Sequence, residues 1–135
     1  MTEDTLTQHI IDMLAGGHFT LANDDTFFFH DAGNRFPFAT IVTKDNEFDN
    51  ASNLNRPGVF RLNIGVGKET IQALFGEATS EHAPVDPMAL DTLMPHPACG
   101  KTYWVSVINP SAQTFEKVKP LLAEALELAR TRKAG

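Results

Sequence analysis

His96-Pro97-Ala98-Cys99-Gly100-Lys101-Thr102-Tyr103-Trp104-Val105-Ser106-Val107-Ile108-Asn109-Pro110, followed by an apolar-periodic run to Arg132, reads as a tight loop, one strand and a closing helix. Successive strand residues point to opposite faces of a sheet. Tyr103, Val105 and Val107 form the more apolar phase and mark the core side, so Trp104 and Ser106 look the other way. Trp104 is therefore expected at the core edge or on an open sheet face, outside the layer that the helices cover. After Asn109-Pro110, Ser111 or Thr114 is placed to cap a helix that buries Phe115, Val118, Leu122, Ala125, Leu126 and Ala129. Pro120 interrupts this run early. Proline costs ~3 kcal/mol inside a helix, so the regular helix is expected to start near Lys119 or to kink there.

Working outward, residues 59–64 alternate strictly, with Phe60, Leu62 and Ile64 on one face and Val59, Arg61 and Asn63 on the other. One face of the sheet is thus partly polar. Arg56-Pro57-Gly58-Val59 sets the turn before this strand, a type that places Pro before Gly, and residues 44–55 form a loop rich in Asp, Asn and Ser. Gly65-Val66-Gly67 leads into a short helix over 68–75, stopped by Gly76. Residues 77–97 form a long surface connection with four prolines and one turn of helix around 88–93. At the start of the chain, Leu6, Ile10, Met13 and Leu14 fall on one helical face, with Thr2 or Thr5 as cap and Gly16-Gly17 as the end. Runs at 19–22, 26–30 and 37–43, rich in aromatic and β-branched residues, read as strands of a meander. Their turns are Asn23-Asp24-Asp25 and Asp31-Ala32-Gly33-Asn34. Pro37 is expected to begin its strand or to lie on an edge. The sum is an α+β fold, an antiparallel sheet with the N- and C-terminal helices packed on one face.

The chain has 135 residues, 42% of them hydrophobic, which fits a single globular domain over 1–135 with one core. Its net charge is −6, and its eleven Lys and Arg are scattered except at the C-terminal tail. Duplex nucleic acid requires a concentrated basic face and is not an expected partner. The single cysteine, Cys99, forms no internal bridge. There is no leader pattern and no apolar run near the ~20 residues that span a bilayer, so no membrane association is expected and the expected location is cytoplasmic.

Several motifs approach known chemistry and stop short. Gly65-x-Gly67-Lys68 sits between strand and helix, where free backbone N–H groups and the positive end of a helix dipole suit phosphate. A dinucleotide fingerprint needs glycine where Thr70 stands; a P-loop needs glycine at Leu62 and Ser or Thr at Glu69. A tight structural turn is the better reading. Asp45-Asn46-Glu47-Phe48-Asp49 hints at calcium, but Asn50 and Arg56 stand where a calcium loop needs glycine and glutamate. His96-x-x-Cys99 has the spacing of two zinc ligands without a second pair, so no metal site and no cofactor are assigned. Cys99 or Ser106 with His96 or His30 could assemble a nucleophile and base across the fold, yet no elbow or catalytic cysteine signature marks one. Catalytic residues are therefore not assigned. Phe27-Phe28-Phe29 lacks the interleaved basic residues of a base-stacking platform and reads as core.

Phe60-Arg61-Leu62-Asn63-Ile64-Gly65-Val66, Ala73-Leu74-Phe75-Gly76, His96-Pro97 and Trp104-Val105-Ser106-Val107-Ile108-Asn109-Pro110 together resemble an uncharacterised bacterial family, a domain of unknown function of about this length. Phe27-Phe28-Phe29 and Phe36-Pro37-Phe38-Ala39-Thr40 fit the same likeness. More distantly, Lys-x-x-Trp-Val-x-Val and the final helix resemble the MmcQ and YjbR-like group. That resemblance implies an antiparallel sheet with terminal helices on one side. Some of the group carry a DNA-binding label on fold grounds, which is a weak warrant. In the closer family an aromatic residue is expected where Cys99 stands.

Two functional readings follow. One is a small non-catalytic binding or interaction module, with an unknown small molecule or protein as partner, using the sheet face that helices leave uncovered. The other is an enzyme with a small polar-metabolite pocket around Arg61, His96 and Trp104. The candidate ligand-binding residues are Arg61, Asn63, His96, Trp104 and Ser106. Arg61 and Asn63 on one strand should meet Trp104 and Ser106 on another, beneath the loop holding His96. Arg61 offers a planar fork to an anion and Trp104 an apolar wall. The competing reading is a structural Arg61 paired with an acid from residues 44–55.

Overall fold

The computed structural model describes residues 2–13, 18–22, 25–30, 37–45, 52–56, 58–75, 86, 88–95 and 103–132. Thr2 opens helix α1 (Glu3–Met13): its hydroxyl accepts the Thr5 N–H at 3.1 Å, and Glu3 and Asp4 lie in the first turn, where negative charge suits the helix dipole. Leu6 and Ile10, one turn apart, are the buried face. The strands are β1 (His18–Ala22), β2 (Asp25–Phe29), β3 (Ala39–Val42), β4 (Arg61–Gly65), β5 (Met94–Pro95) and β6 (Trp104–Ile108). They form one sheet in the order β1-β2-β3-β4-β6-β5, antiparallel at every pairing. Helix α2 (Lys68–Phe75) follows β4, and helix α3 (Ala112–Arg132) closes the described chain. No helix among the described residues is long and apolar enough to cross a membrane.

Register sorts the side chains. Leu62 lies opposite Ile41 and Val107, and Ile64 opposite Ala39 and Val105. With Phe28 these residues pack against Leu6 and Ile10 of α1 and Phe115, Val118, Leu122 and Ala125 of α3, so both terminal helices cover the same face. The alternation read from 59–64 and 105–108 is the alternation observed. The opposite face carries Thr40 and Val42, Arg61 and Asn63, and Trp104, Ser106 and Ile108. It is not open at its centre, as an uncovered sheet face would be: Arg61 and Ser106 are fully buried and Asn63 is 2% exposed. Segment 52–56 lies against it through Ser52, while β5 and Leu90 extend the sheet edge beside β6, Met94 paired with Ser106 and Leu90 bridged to Ile108.

Four local expectations are corrected. Tyr103 is not on the core side. Its φ of 64° takes it out of the strand, and it is exposed. Residues 88–93 form no helical turn. They carry the Leu90 bridge and lead into β5, whose Pro95 is tolerated because β5 is a short edge strand. The closing helix starts at Ala112, directly after Ser111 as expected, with the Ser111 hydroxyl accepting the Thr114 N–H at 3.1 Å; of the two alternatives at Pro120, a regular start only near Lys119 is excluded. Pro120 lies inside it, and Glu116 and Pro120 are both exposed, so the carbonyl that loses its intrahelical donor faces water. Strand limits shift by up to two residues: β1 and β2 start one residue earlier than expected, β3 and β4 two later and β6 one later. Where the turn before β4 was expected, Gly58 has φ 74° and Val59 N–H bonds Arg56 O at 3.2 Å. The expected turns at 31–34, the glycine stops at 16–17 and 76, and Cys99 lie outside the described residues.

Candidate functional site

Antiparallel register places Thr40, Asn63 and Ser106 in one row across β3, β4 and β6. Asn63 is the hub. Its Oδ1 accepts from Arg61 Nε at 2.9 Å and from Ser106 Oγ at 2.7 Å, and its Nδ2 donates to Thr40 Oγ1 at 3.0 Å. Arg61 Nη1 donates to Ser52 Oγ at 2.9 Å. All five side chains are buried. A guanidinium taken out of water must find acceptors for its donors, and here an amide oxygen and a hydroxyl supply them. Ser106 directs its hydroxyl hydrogen to an amide oxygen, and among the described residues no base accepts it. Trp104 lies on the same face, half-buried and laid across Gly65; a Cβ at Gly65 would sit 3.1 Å from its Cζ2. The structure thus brings Arg61, Asn63 and Ser106 into direct contact and sets Trp104 further along the same face, while His96 lies outside the described residues.

The network extends through Ser52 to a second arginine. Arg56 Nε donates to Asn53 O at 2.9 Å, and its Nη2 donates to Ser52 O at 2.9 Å and Met88 O at 3.3 Å. Asp45 tightens the same segment: its carboxylate accepts the Leu54 N–H at 2.8 Å, and its own N–H bonds Asn55 Oδ1 at 3.2 Å. The carboxylate at the head of the calcium-like run is therefore engaged with main chain. Asn109, in a left-handed conformation with φ 46°, accepts the Phe60 N–H at 2.9 Å and donates to Gly58 O at 3.0 Å. Thr43 follows β3, Phe60 precedes β4 and Asn109 follows β6, so antiparallel pairing puts all three at one end of the sheet. There, between this end, the 54–58 segment and the N-terminus of α1, opens a cleft of about 690 Å³. Asp4, Lys44, Leu54, Arg56 and Phe60 are among the residues lining it. None of the four sequence-derived candidates among the described residues, Arg61, Asn63, Trp104 and Ser106, does. Thr40 had a visible signal, a hydroxyl in the polar phase of an apolar run; Ser52 and Arg56 had none beyond membership of a polar loop.

Two other polar features are internally satisfied. The Gly67 N–H at the start of α2 donates to Glu124 Oε2 at 2.8 Å, and the Thr70 hydroxyl lies 2.7 Å from Glu124 Oε1. A carboxylate from α3 thus occupies the place that a phosphate would take. Asp91, with φ 54°, accepts the Ser111 N–H at 2.7 Å at the start of α3. That backbone bond, and then the Thr114 hydroxyl, hold its carboxyl below the usual carboxylate range. Among the described residues no group of three or more His, Cys, Asp or Glu could hold a metal ion.

Neither the curated proteins nor the solved structures include a match to this chain. Over its whole length, residues 1–135, the chain matches the family described as "Family of unknown function (DUF6194)", and it belongs to that family.

Proposed function

We propose that the protein is a non-catalytic binding module that takes up a small polar molecule with an anionic group in the cleft beside Arg56. One observation carries this reading. The Arg56 guanidinium is fixed by three backbone carbonyls and has no carboxylate partner among the described residues. Carbonyls orient it without cancelling its charge, and a preoriented guanidinium binds carboxylate or phosphate at low entropic cost. Leu54 and Phe60 give the cleft an apolar floor, and its volume suits a metabolite.

In this reading Arg61, Asn63 and Ser106 act beneath the ligand, holding Ser52 and through it the wall that carries Arg56. Trp104 lies further along the same face. The same buried bonds argue against the enzyme reading, since the described hydroxyl nearest the candidates lacks a base. The acidic net charge makes duplex nucleic acid a poor partner. We also place the protein in the bacterial cytoplasm and among distant relatives of the YjbR-like group, a reading supported by the antiparallel sheet with both terminal helices on one face.

A thermal-shift series with inorganic phosphate, mono- and dicarboxylates and amino acids tests the proposal. At ~100 times Kd, a ligand specific for the native state adds ~2.7 kcal/mol, a rise of roughly 8–10 °C for a chain of this size. Arg56→Lys should weaken the responding anion about tenfold or more, because an ammonium lacks the planar fork. No response to any anion, or equal affinity in Arg56→Lys, overturns the reading.

A further inference from the structure

β1 ends the sheet. Its inner edge pairs with β2, and no described strand pairs with its outer edge. Soluble proteins ordinarily blunt such an edge with charge, proline or a bulge. His18-Phe19-Thr20-Leu21-Ala22 contains no Lys, Arg, Asp, Glu or Pro, and its register against β2 is unbroken over all five residues. Phe19 is 42% exposed and Leu21 is 66% exposed. Both lie on the helix-covered face, because Phe19 is opposite the core residue Phe28.

We propose that the outer edge of β1 pairs antiparallel with β1 of a second copy, about a two-fold axis at Thr20. The register follows from the strand's own sequence. Centred on Thr20, the pairing sets Phe19 of each copy against Leu21 of the other, Thr20 against Thr20, and His18 against Ala22. Centred on Phe19, it would leave Leu21 opposite Gly17; centred on Leu21, it would leave Phe19 opposite Asn23. Only the Thr20 register gives both exposed apolar side chains an apolar cross-strand partner. It also keeps the helical layers of the two copies on the same side of the joined sheet.

The size of the contact sets its strength. The exposed parts of Phe19 and Leu21 amount to roughly 200 Å² per copy on typical side-chain areas, about 400 Å² over both copies, well short of the ~1,200 Å² total at the low end of stable interfaces. The dimer is therefore weak and exchanging. Each copy carries a net charge of −6, so salt, which shortens the Debye length from ~10 Å at 0.1 M to ~3 Å at 1 M, strengthens it.

Sedimentation equilibrium of the full chain from about 10 µM to about 1 mM, at low and high NaCl, reads the association. Wild type is expected to dimerise with rising concentration, and more strongly at high salt. Leu21→Lys places like charges near the axis on a side chain that is already mostly exposed, so the fold survives while association falls about tenfold or more. Leu74→Lys, at an exposed apolar position on α2, is the control and leaves association unchanged. Amides of residues 18–22 should gain protection from hydrogen exchange as concentration rises. A wild type that stays monomeric at about 1 mM, a dimer that Leu74→Lys weakens as much as Leu21→Lys, or a dimer whose 18–22 amides gain no protection overturns the proposal.

Discussion

Replacing Asn63 with alanine removes the hub of the buried network in one step. Three bonds go: those with the Ser106 hydroxyl, the Thr40 hydroxyl and Arg61 Nε. The Ser106 hydroxyl can rotate toward another acceptor, and the Thr40 oxygen loses a donor but keeps its own O–H to place, so these losses cost ~1 kcal/mol each or less. Arg61 Nε cannot turn to another acceptor, because Arg61 is fully buried and its side chain is also tied to Ser52. A buried charged donor left without its acceptor costs ~1.5–3 kcal/mol more, and the small cavity adds to this. The expected total is ~3–5 kcal/mol, or roughly 9–20 °C in Tm at about 3–4 °C per kcal/mol for this chain length. Ser106→Ala is the internal comparison. It takes one donor from Asn63 Oδ1, which still accepts from Arg61, so the expected loss is only ~1 kcal/mol. Urea denaturation of both variants, with midpoints compared at constant slope, measures the difference. An Asn63→Ala loss below that of Ser106→Ala would refute the assignment of Asn63 as hub.

Gly65→Ala puts a Cβ 3.1 Å from Trp104 Cζ2, so the indole must shift by a few tenths of an ångström; a loss of ~1 kcal/mol is expected, with a changed emission spectrum from the chain's single tryptophan. Unchanged emission and stability would mean that the ring does not rest on that glycine. Pro120→Ala restores a backbone donor on the exposed side of α3 and should stabilise by ~1–3 kcal/mol; a destabilised variant would show that Pro120 shapes a bend the core needs. Asp91 has a depressed folded pKa, caused first by the Ser111 N–H and then by the Thr114 hydroxyl. Its contribution is therefore present above the ordinary carboxylate value of ~3.9 and is lost as pH falls through the lowered folded value. Stability curves of wild type and Asp91→Asn should converge below about pH 4 and separate above it; parallel curves throughout would contradict the shift.

What the sequence disclosed and what it withheld divide along a physical line. Period-two alternation names the face of each residue in 59–64 because a strand has only two faces, and the helix-covered layer of Leu62, Ile64, Val105 and Val107 follows directly. The Pro57-Gly58 turn was equally legible, since a left-handed residue there calls for glycine. Tyr103 was misplaced because a single positive φ removes it from the strand whose phase it continues on paper. β5 was hidden because two residues, one of them proline, carry no period. The polar phase of the sheet was visible, but its burial was not. Whether Arg61 meets water, a ligand or Ser52 depends on a segment nine residues away whose path no local pattern specifies. The cleft was invisible for a related reason: it is made by the ends of three strands and the start of α1, which converge only once the register is set.

The glycine turn that the sequence offered to an anion and the Arg56 guanidinium that only the structure brings forward end in opposite states, and the contrast supports the cleft as the proposed site. At the start of α2, the glycine turn presents the geometry of a phosphate cradle, yet Glu124 already supplies a full negative charge to Gly67 N–H. An incoming anion would have to displace a tethered carboxylate whose effective concentration is far higher than that of any free ion. That turn is a joint between α2 and α3. At Arg56 the acceptors are neutral carbonyls. They fix the plane of the guanidinium and leave it without a direct ion pair to any described carboxylate, so in the proposed reading an entering anion need not displace a bonded carboxylate. The buried Arg61 network makes this arrangement stable, since Ser52 is gripped from below through its hydroxyl and from above through its carbonyl. The proposed site thus has its rigid support inside the protein and its guanidinium at the surface, where a polar anion could reach it.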